Sequence, residues 1–424
     1  MEDTLIIESK ESNISGELVI VIPGSKNAVL PMLASSVLIS NEVVLRNVPF
    51  LDDVKNMVLI LESLGAKISW ERHVLKVNCS NIKDLELSRD FVSKLRASFL
   101  VFGPLIVRKG KATIVKPGGC SIGLRKIDIH LDGLRLFGIS IEENNVIKGF
   151  LKESSPINFY LRFPSVGATE HLLSVASSIK GVSKLENAAI EPEVIDFVNF
   201  LKCAGADIKQ NNRTFVIKGQ DKLSLVDYTI MADRIVAATW IIASIIKKRS
   251  LKLYNINPEV LDSFLLVLCE CGVDVTLEKD SIHIKLVREL KPFSIKTGPF
   301  PAFPSDIQPF MAVLACTIAG ESTIEENVFE NRFEYVGELR KMGANISLSK
   351  NKLVIRGPCN LKGAAVQGTD LRGTAALALA SLIADDKTIL KGMDVINRGY
   401  EDFPFLLKTF GAEVKKMRGE DEYH

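Results

Sequence analysis

The 424-residue chain has no apolar run near the ~18 residues that a membrane span requires. The longest candidate, residues 237–246, is broken by Trp240 and Ser244 and followed by Lys247, Lys248 and Arg249, which predicts a buried helix. Charge of one sign is also missing: 53 basic residues face 51 acidic ones, a net charge of +2. That balance gives no electrostatic case for nucleic acid or a membrane as the main partner, although a few placed arginines would suffice for a small anion. Seven cysteines, at 79, 120, 203, 269, 271, 316 and 359, are odd in number and form no CxxC pair. A disulfide scaffold is not expected, and the cytoplasm is the expected compartment. The opening residues, MEDTLIIESK, place acids early, without the basic-then-apolar order of a secretory signal, and carry the same expectation. The five histidines do not combine with cysteines or acids at metal-ligand spacing, so no metal site is expected.

What the chain has is repetition. An apolar helical stretch that ends in Gly and runs into alternating strand residues occurs six times: LILESLGAKISW, GLRLFGISIE, NFLKCAGADIKQ, LVLCECGVDVTL, ELRKMGANISLS and LLKTFGAEVKK. The glycines fall at 65, 138, 205, 272, 343 and 411, with gaps of 73, 67, 67, 71 and 68 residues. Such regularity marks a repeat architecture. Each helix carries apolar residues at three-to-four spacing, as in Met57, Ile60, Leu61 and Leu64, and its Gly supplies a left-handed end. Two strands follow around a polar turn, as at Lys350-Asn351 before Lys352 to Ile355. A second helix rich in small residues lies upstream, as at Ala34 to Ser36, Ala176 to Ser178 and Ala376 to Ala380. Helices apolar on every side need burial on every side. Three units packing such helices inward, with sheets outside, make one domain, and six make two similar domains; six tandem α/β units without higher symmetry is the plainer alternative. The first strand, Leu5 to Glu8, lacks a partner in its own unit, so the second domain is expected to take it. That predicts domains of 26–231 and of 1–25 plus 232–424, with a cleft between the halves.

Four segments break the repeat grammar with glycine, proline and charge, and these are the places to look for function. Pro23-Gly24-Ser25-Lys26-Asn27 sits at a strand-to-helix junction, where amides and a lysine suit a phosphate or carboxylate. It lacks Walker A spacing, and from this pattern alone a plain helix start with a solvated lysine is the favoured reading. Lys116 to Arg125 holds three glycines and Cys120, on neither an apolar helix nor an alternating strand; the flanking cations favour a reactive thiolate. Cysteines 203, 269, 271 and 316 lie in apolar helical contexts and are expected to pack. His130, in the aliphatic stretch 127–134, is expected to be structural. Thr297 to Asp306 contains three prolines and presents one carboxylate at a helix start, either as an N-cap through Ser305 or Asp306, or as a general base. Finally, Arg96, Arg332, Arg372 and Arg398 lie at element junctions and, with Lys26 and Arg125, have the donors to enclose a small polyanion.

Read in order, these segments resemble the UDP-N-acetylglucosamine 1-carboxyvinyltransferases, a family of enolpyruvyl transferases. The resemblance runs through PGSKNA (23–28), LRASFLVFGP (95–104), PGGCSIG (117–123), PSVGAT (164–169), NAAIEPEV (187–194), ADR (232–234), TGPFPAFPSD (297–306), ENRF (330–333), TDLRG (369–373) and NRGYE (397–401). It implies an inside-out α/β barrel, two similar domains each of three repeated β-α-β-α-β-β units. It also implies transfer of the carboxyvinyl group of phosphoenolpyruvate to a sugar-nucleotide hydroxyl. Lys26 and Asn27 match the pair that contacts phosphoenolpyruvate, and Arg125 and Arg398 match the arginines on its phosphate and carboxylate. Arg96 matches a further substrate-site position. Arg125, Lys126, Ile127, Asp128 and Ile129, then Phe163, Pro164, Ser165 and Val166, match the segments lining the UDP-sugar site. Asp306 matches the carboxylate near the sugar hydroxyl and Val328 a sugar contact; Arg332 and Arg372 join the substrate-binding set. Cys120 matches the loop cysteine that acts as the acid, forms an adduct with phosphoenolpyruvate and is alkylated by fosfomycin. The resemblance implies no metal or organic cofactor, and a monomer is expected.

Two positions depart from the family pattern: Ile190 stands where arginine is usual, and Asn397 where an acid usually precedes the arginine of RGY. The nearest rival is the sister enzyme acting on shikimate 3-phosphate, whose GNAGT-like acceptor motif is absent. A six-repeat clamp on DNA would need basic inner helices, and these are rich in alanine, serine and leucine. A paralogue that binds the sugar nucleotide without catalysis is opposed by the presence of Lys26, Cys120, Asp306 and Arg398.

Overall fold

A computed structural model describes residues 4–10, 16–83, 85–87, 89–116, 127–224, 226–285 and 289–417. Two compact units form, one from the described residues of Met1–Pro23 and Ala232–His424, the other from those of Gly24–Cys120 and Leu124–Met231.

In the 24–231 unit, strands alternate buried and exposed side chains, as in Glu42–Arg46, where Val43 and Leu45 are buried. That period of two lays one apolar face of each sheet on helices. One sheet runs Val226–Thr229, Glu42–Arg46, Val74–Asn78, Lys67–Glu71, and a second runs Asp207–Asn211, Thr214–Gly219, Gly181–Glu186, Asn158–Tyr160. The third has three strands, Lys111–Val115, Val146–Leu151 and Ile139–Glu143.

Among its described residues, the other unit also builds three sheets. Strand Thr4–Ser9 lies antiparallel between Lys387–Lys391 and Ala412–Met417, with Leu5 opposite Leu390 and Lys416, so the first strand joins the last two. Helix Arg234–Ile246 is buried at all thirteen positions, as its unbroken apolar run required. Its two hydroxyls are satisfied inside the helix: Thr239 Oγ1 donates to Ile235 O and Ser244 Oγ to Ile241 O, each at 2.7 Å. A buried polar group without such a partner would be costly.

The six repeat glycines all have positive φ, between 88° and 105°, and each follows the end of a helix. A side chain there would be strained, and at Gly138 a Cβ would also sit 1.9 Å from Glu153 O.

Candidate functional site

In the 24–231 unit, Ser25 caps helix Lys26–Ser35, its Oγ accepting from Ala28 N at 3.4 Å. Lys26 is the first helical residue, with Asn27 half-buried beside it. The Lys26 side chain is only 12% exposed, and its Nζ lies 3.1 Å from Oδ2 of Asp53, which is 3% exposed. The reading of Lys26 as a solvated helix-start lysine is thus corrected: a buried carboxylate on helix Asp52–Ser63 holds it in place. Sequence reasoning missed Asp53, although it stands on the same helical stripe as Met57, Ile60, Leu61 and Leu64. An acid within an apolar stripe is a readable signal of a buried partner.

Arg96 opens the turn Arg96–Val101 and is half-buried. His130 and His171 place their Nδ1 atoms 3.0 Å apart, while Gly103 N donates to His171 Nε2 at 2.9 Å. The backbone N–H therefore assigns the proton of neutral His171 to Nδ1, which donates to His130, and leaves His130 protonated on Nε2. Burial, and then the charge of Arg96, lower the His130 pKa to about 3, and burial holds His171 well below the usual range. His130 is structural, as expected. Ile127 and Asp128 are half-buried and Ile129 is buried at the start of helix Asp128–Leu136. Arg162 bridges that start to the 163–166 segment, with Nη2 at 2.6 Å from Asp128 Oδ2 and Nη1 at 2.8 Å from Asp132 Oδ2. Phe163 is 42% exposed, Pro164 and Val166 are half-buried, and Ser165 caps helix Val166–Ala176. Arg96, Ile127 to Ile129 and Phe163 to Val166 thus gather around one pair of helix starts.

In the 232–424 unit, Arg332 is buried and binds two acids: Nη2 lies 2.5 Å from Asp306 Oδ1 and Nη1 3.2 Å from Asp370 Oδ1. Arg372 Nε is 3.5 Å from Asp306 Oδ2, and its guanidinium sits 5.6 Å from the Tyr400 ring centroid. Burial disfavours the charge of Arg372, but Tyr400, Asp306 and Asp233 together hold its pKa above the ordinary value. Tyr400 hydroxyl in turn contacts Thr239 Oγ1 at 2.8 Å. Asp370 also caps helix Leu371–Ser381, accepting from Arg372 N and Gly373 N at 3.1 Å each. Side-chain exposures of 2% for Arg332 and 3% for Asp370 and Arg372 contrast with 30% for Asp306. Asp306 is the emergent end of an otherwise buried charge network.

Glu326 extends this arrangement. Its Oε2 accepts from Ser305 Oγ at 2.9 Å, while its Oε1 accepts from Val328 N and Phe329 N at 2.9 and 3.0 Å. The Val328 turn and the Asp306 loop therefore share one buried carboxylate. Arg398 is half-buried in the turn after the short helix Met393–Ile396.

The profile of the EPSP synthase (3-phosphoshikimate 1-carboxyvinyltransferase) family matches residues 9–407. The UDP-N-acetylglucosamine 1-carboxyvinyltransferase of Thermotoga maritima is 41% identical over 404 residues, 94% of this chain and 96% of its own length. The chain belongs to the UDP-N-acetylglucosamine 1-carboxyvinyltransferase family of enolpyruvyl transferases. A relative with the same name from the Wolbachia of Brugia malayi is 42% identical over 97% of this chain and 98% of its own. Among solved structures, the enolpyruvyl transferase NikO from Streptomyces tendae is similar with a TM-score of 0.90 at 25% identity, covering 98% of this chain and 99% of that one. An EPSP synthase from Acinetobacter baumannii has a TM-score of 0.78 at 15% identity over 98% and 100% of the two chains, a likeness of fold. The α/β repeat fold expected from the six glycines is borne out.

Two local readings are corrected in this enolpyruvyl transferase. Helix Gln308–Ala315 starts with Ile307 as its cap and no side-chain cap bond, so neither Ser305 nor Asp306 caps it. Both are drawn off by stronger partners, Glu326 and the arginines. Cys203 and Cys269 are exposed rather than packed. Each lies off the stripe of its helix, which runs through Phe197, Phe200 and Leu201 in one case and Phe264, Leu265 and Leu268 in the other. Cys120, Arg125 and Lys126 lie outside the described residues. Glu326, Asp370 and Tyr400 were not singled out; Asp370 was readable as the acid before LRG at a helix start.

Proposed function

We propose that this chain transfers the carboxyvinyl group of phosphoenolpyruvate to the 3-hydroxyl of UDP-N-acetylglucosamine, releasing phosphate in the first committed step of peptidoglycan synthesis. The relatives named for this reaction support the substrate pair. The observation that carries the chemistry is the half-exposed Asp306 carboxylate fixed by two nearly buried guanidiniums, Arg332 and Arg372. Fixed acceptors of this kind suit removal of a proton from an attacking hydroxyl.

In the proposed sequence Cys120 delivers a proton to the methylene carbon of phosphoenolpyruvate, which makes the neighbouring carbon electrophilic. The sugar hydroxyl attacks that carbon as Asp306 takes its proton. The tetrahedral ketal then loses phosphate as its methyl proton returns to the Cys120 thiolate, restoring the vinyl group and the acid. Lys26, Arg125 and Arg398, with Asn27, hold the phosphate and carboxylate and stabilise the departing charge. Asp53 keeps the Lys26 ammonium in position at 3.1 Å. Ile127 to Ile129, Phe163 to Val166, Arg96 and Val328 serve the sugar nucleotide. The reading also assigns residues 26–231 and 1–25 plus 232–424 as the two three-repeat domains, a cytoplasmic monomer, a role in cell shape and division, and fosfomycin alkylation at Cys120. Among the described residues no helix is long and apolar enough to cross a membrane.

Phosphate release from phosphoenolpyruvate, with UDP-N-acetylglucosamine or shikimate 3-phosphate as acceptor, tests the assignment. Release should require the UDP-sugar; release with shikimate 3-phosphate alone would overturn it. Cys120→Asp, which keeps a proton donor, should retain activity that Cys120→Ala loses. Normal turnover by the alanine variant would remove Cys120 from the mechanism.

A further inference from the structure

Two cysteines that carry no catalytic assignment meet in space. Cys316 ends helix Gln308–Ala315 and is 1% exposed. Cys359 follows strand Lys352–Gly357 and is partly exposed. Cys359 N donates to Cys316 O at 2.8 Å, which sets the two residues side by side. A backbone hydrogen bond of that length brings the α-carbons within the roughly 4.4–6.8 Å window that a disulfide needs. Gly357 enforces the approach, because a Cβ there would lie 2.6 Å from Ala315 O and 3.2 Å from Cys316 O. The two thiols differ in reactivity. Cys359 Sγ accepts from Asn345 N at 3.4 Å and its thiol donates to Arg356 O at 3.3 Å; the neighbouring Cys316 thiol, and then the Asn345 amide, bring its pKa down to about 6. The neighbouring Cys359 thiol, and burial, push the Cys316 thiol up. A partly exposed thiol of lowered pKa beside a buried one is the layout of an attacking and a resolving cysteine.

We infer that Cys316 and Cys359 form a reversible intramolecular disulfide when a small-molecule disulfide such as oxidised glutathione is present. The Cys359 thiolate attacks one sulfur of the oxidant and expels a glutathione thiolate. Cys316 then loses its proton and attacks Cys359 Sγ, expelling the second glutathione. One protein disulfide forms, one glutathione disulfide is reduced to two thiols, and both protein protons are carried away. The bond would close the 44-residue segment from Cys316 to Cys359, which carries Arg332 and Val328. Closing a loop of that length restricts the unfolded chain, so the oxidised protein should melt several degrees higher.

The full chain is incubated with oxidised glutathione until the exposed Cys203 and Cys269 carry glutathione, which shows that the oxidant has acted. Remaining thiols are alkylated under denaturing conditions and the peptides mapped by mass. The expected result is a cross-linked peptide containing Cys316 and Cys359, reversible by reductant, together with the rise in Tm. Cys359→Ser should lose both, and Cys316→Ala, close in size, should leave glutathione trapped on Cys359. Absence of the 316–359 peptide, with Cys359 either unmodified or stably glutathionylated in the unsubstituted chain, would overturn the inference.

Discussion

Apart from the Lys26–Asp53 ion pair, the two units treat their buried histidines, carboxylates and arginines differently. In the 24–231 unit most are kept neutral: His130 and His171 share a proton chain that ends on the Gly103 amide. Burial and the neighbouring Glu193 and Glu191 raise the Glu170 pKa well above the usual carboxylate range. Burial likewise brings Asp196 up to about 6, although Tyr228 hydroxyl and Met231 N donate to it. In the 232–424 unit the buried groups are kept charged and paired, Arg332 between Asp306 and Asp370, and Arg372 beside Asp306. The difference teaches where chemistry is placed. A neutral buried pair fills space and fixes a tautomer, whereas a charged one holds a carboxylate in a set orientation at the edge of solvent.

The sharpest way to break the comparison is Asp370→Ala. It leaves Arg332 buried with one partner fewer and helix Leu371–Ser381 without its cap. The expected loss is roughly 3–5 kcal/mol, read as a lower urea midpoint. A loss below ~1 kcal/mol would show that the network is not held as a buried ion set. The neutral unit is tested by pH instead. His130 has a folded pKa below its unfolded value, so the stability it contributes is complete above about pH 6.5 and is lost as the pH falls toward about 3. By pH 5 the loss from His130 alone should be roughly 2 kcal/mol. His130→Gln, which retains an acceptor and a donor, should flatten that slope, and an unchanged slope would place the protons elsewhere. Asp196 acts with the reverse sign: its raised pKa makes its contribution fullest below its unfolded pKa, and that contribution is lost as the pH rises through about 6. Asp196→Asn should remove a loss of about 2–3 kcal/mol across that window, measured as the pH dependence of the midpoint. The smallest effect belongs to Arg46→Ala, which removes the exposed pair with Asp227 at 2.8 Å and should leave the midpoint unmoved.

Much of this was legible in the chain. The six glycines gave the repeat because a left-handed helix end leaves little choice of residue. The buried helix Arg234–Ile246 was legible because no polar face exists to expose. Lys26, Arg332, Arg372 and Asp306 were legible as charges at junctions, and the ordered family motifs supplied the roles proposed for them. Their partners were not. Asp53, Glu326 and Asp370 are common residue types at helix starts and strand ends, and which cation each meets depends on packing between elements distant in sequence. Local spacing misassigned Ser305 and Asp306 as caps for the same reason: a cap is a local competitor, and Glu326 and the arginines are stronger ones from elsewhere in the chain.

The central claim is that the charged network exists to hold Asp306 ready for the acceptor's proton. Asp306→Asn keeps the shape and removes the charge, so phosphate release with saturating phosphoenolpyruvate and UDP-N-acetylglucosamine tests it directly. A fall in kcat of about 10²–10⁴-fold, with a melting temperature close to that of the unsubstituted chain, is the predicted result. Turnover at the unsubstituted rate would contradict the account.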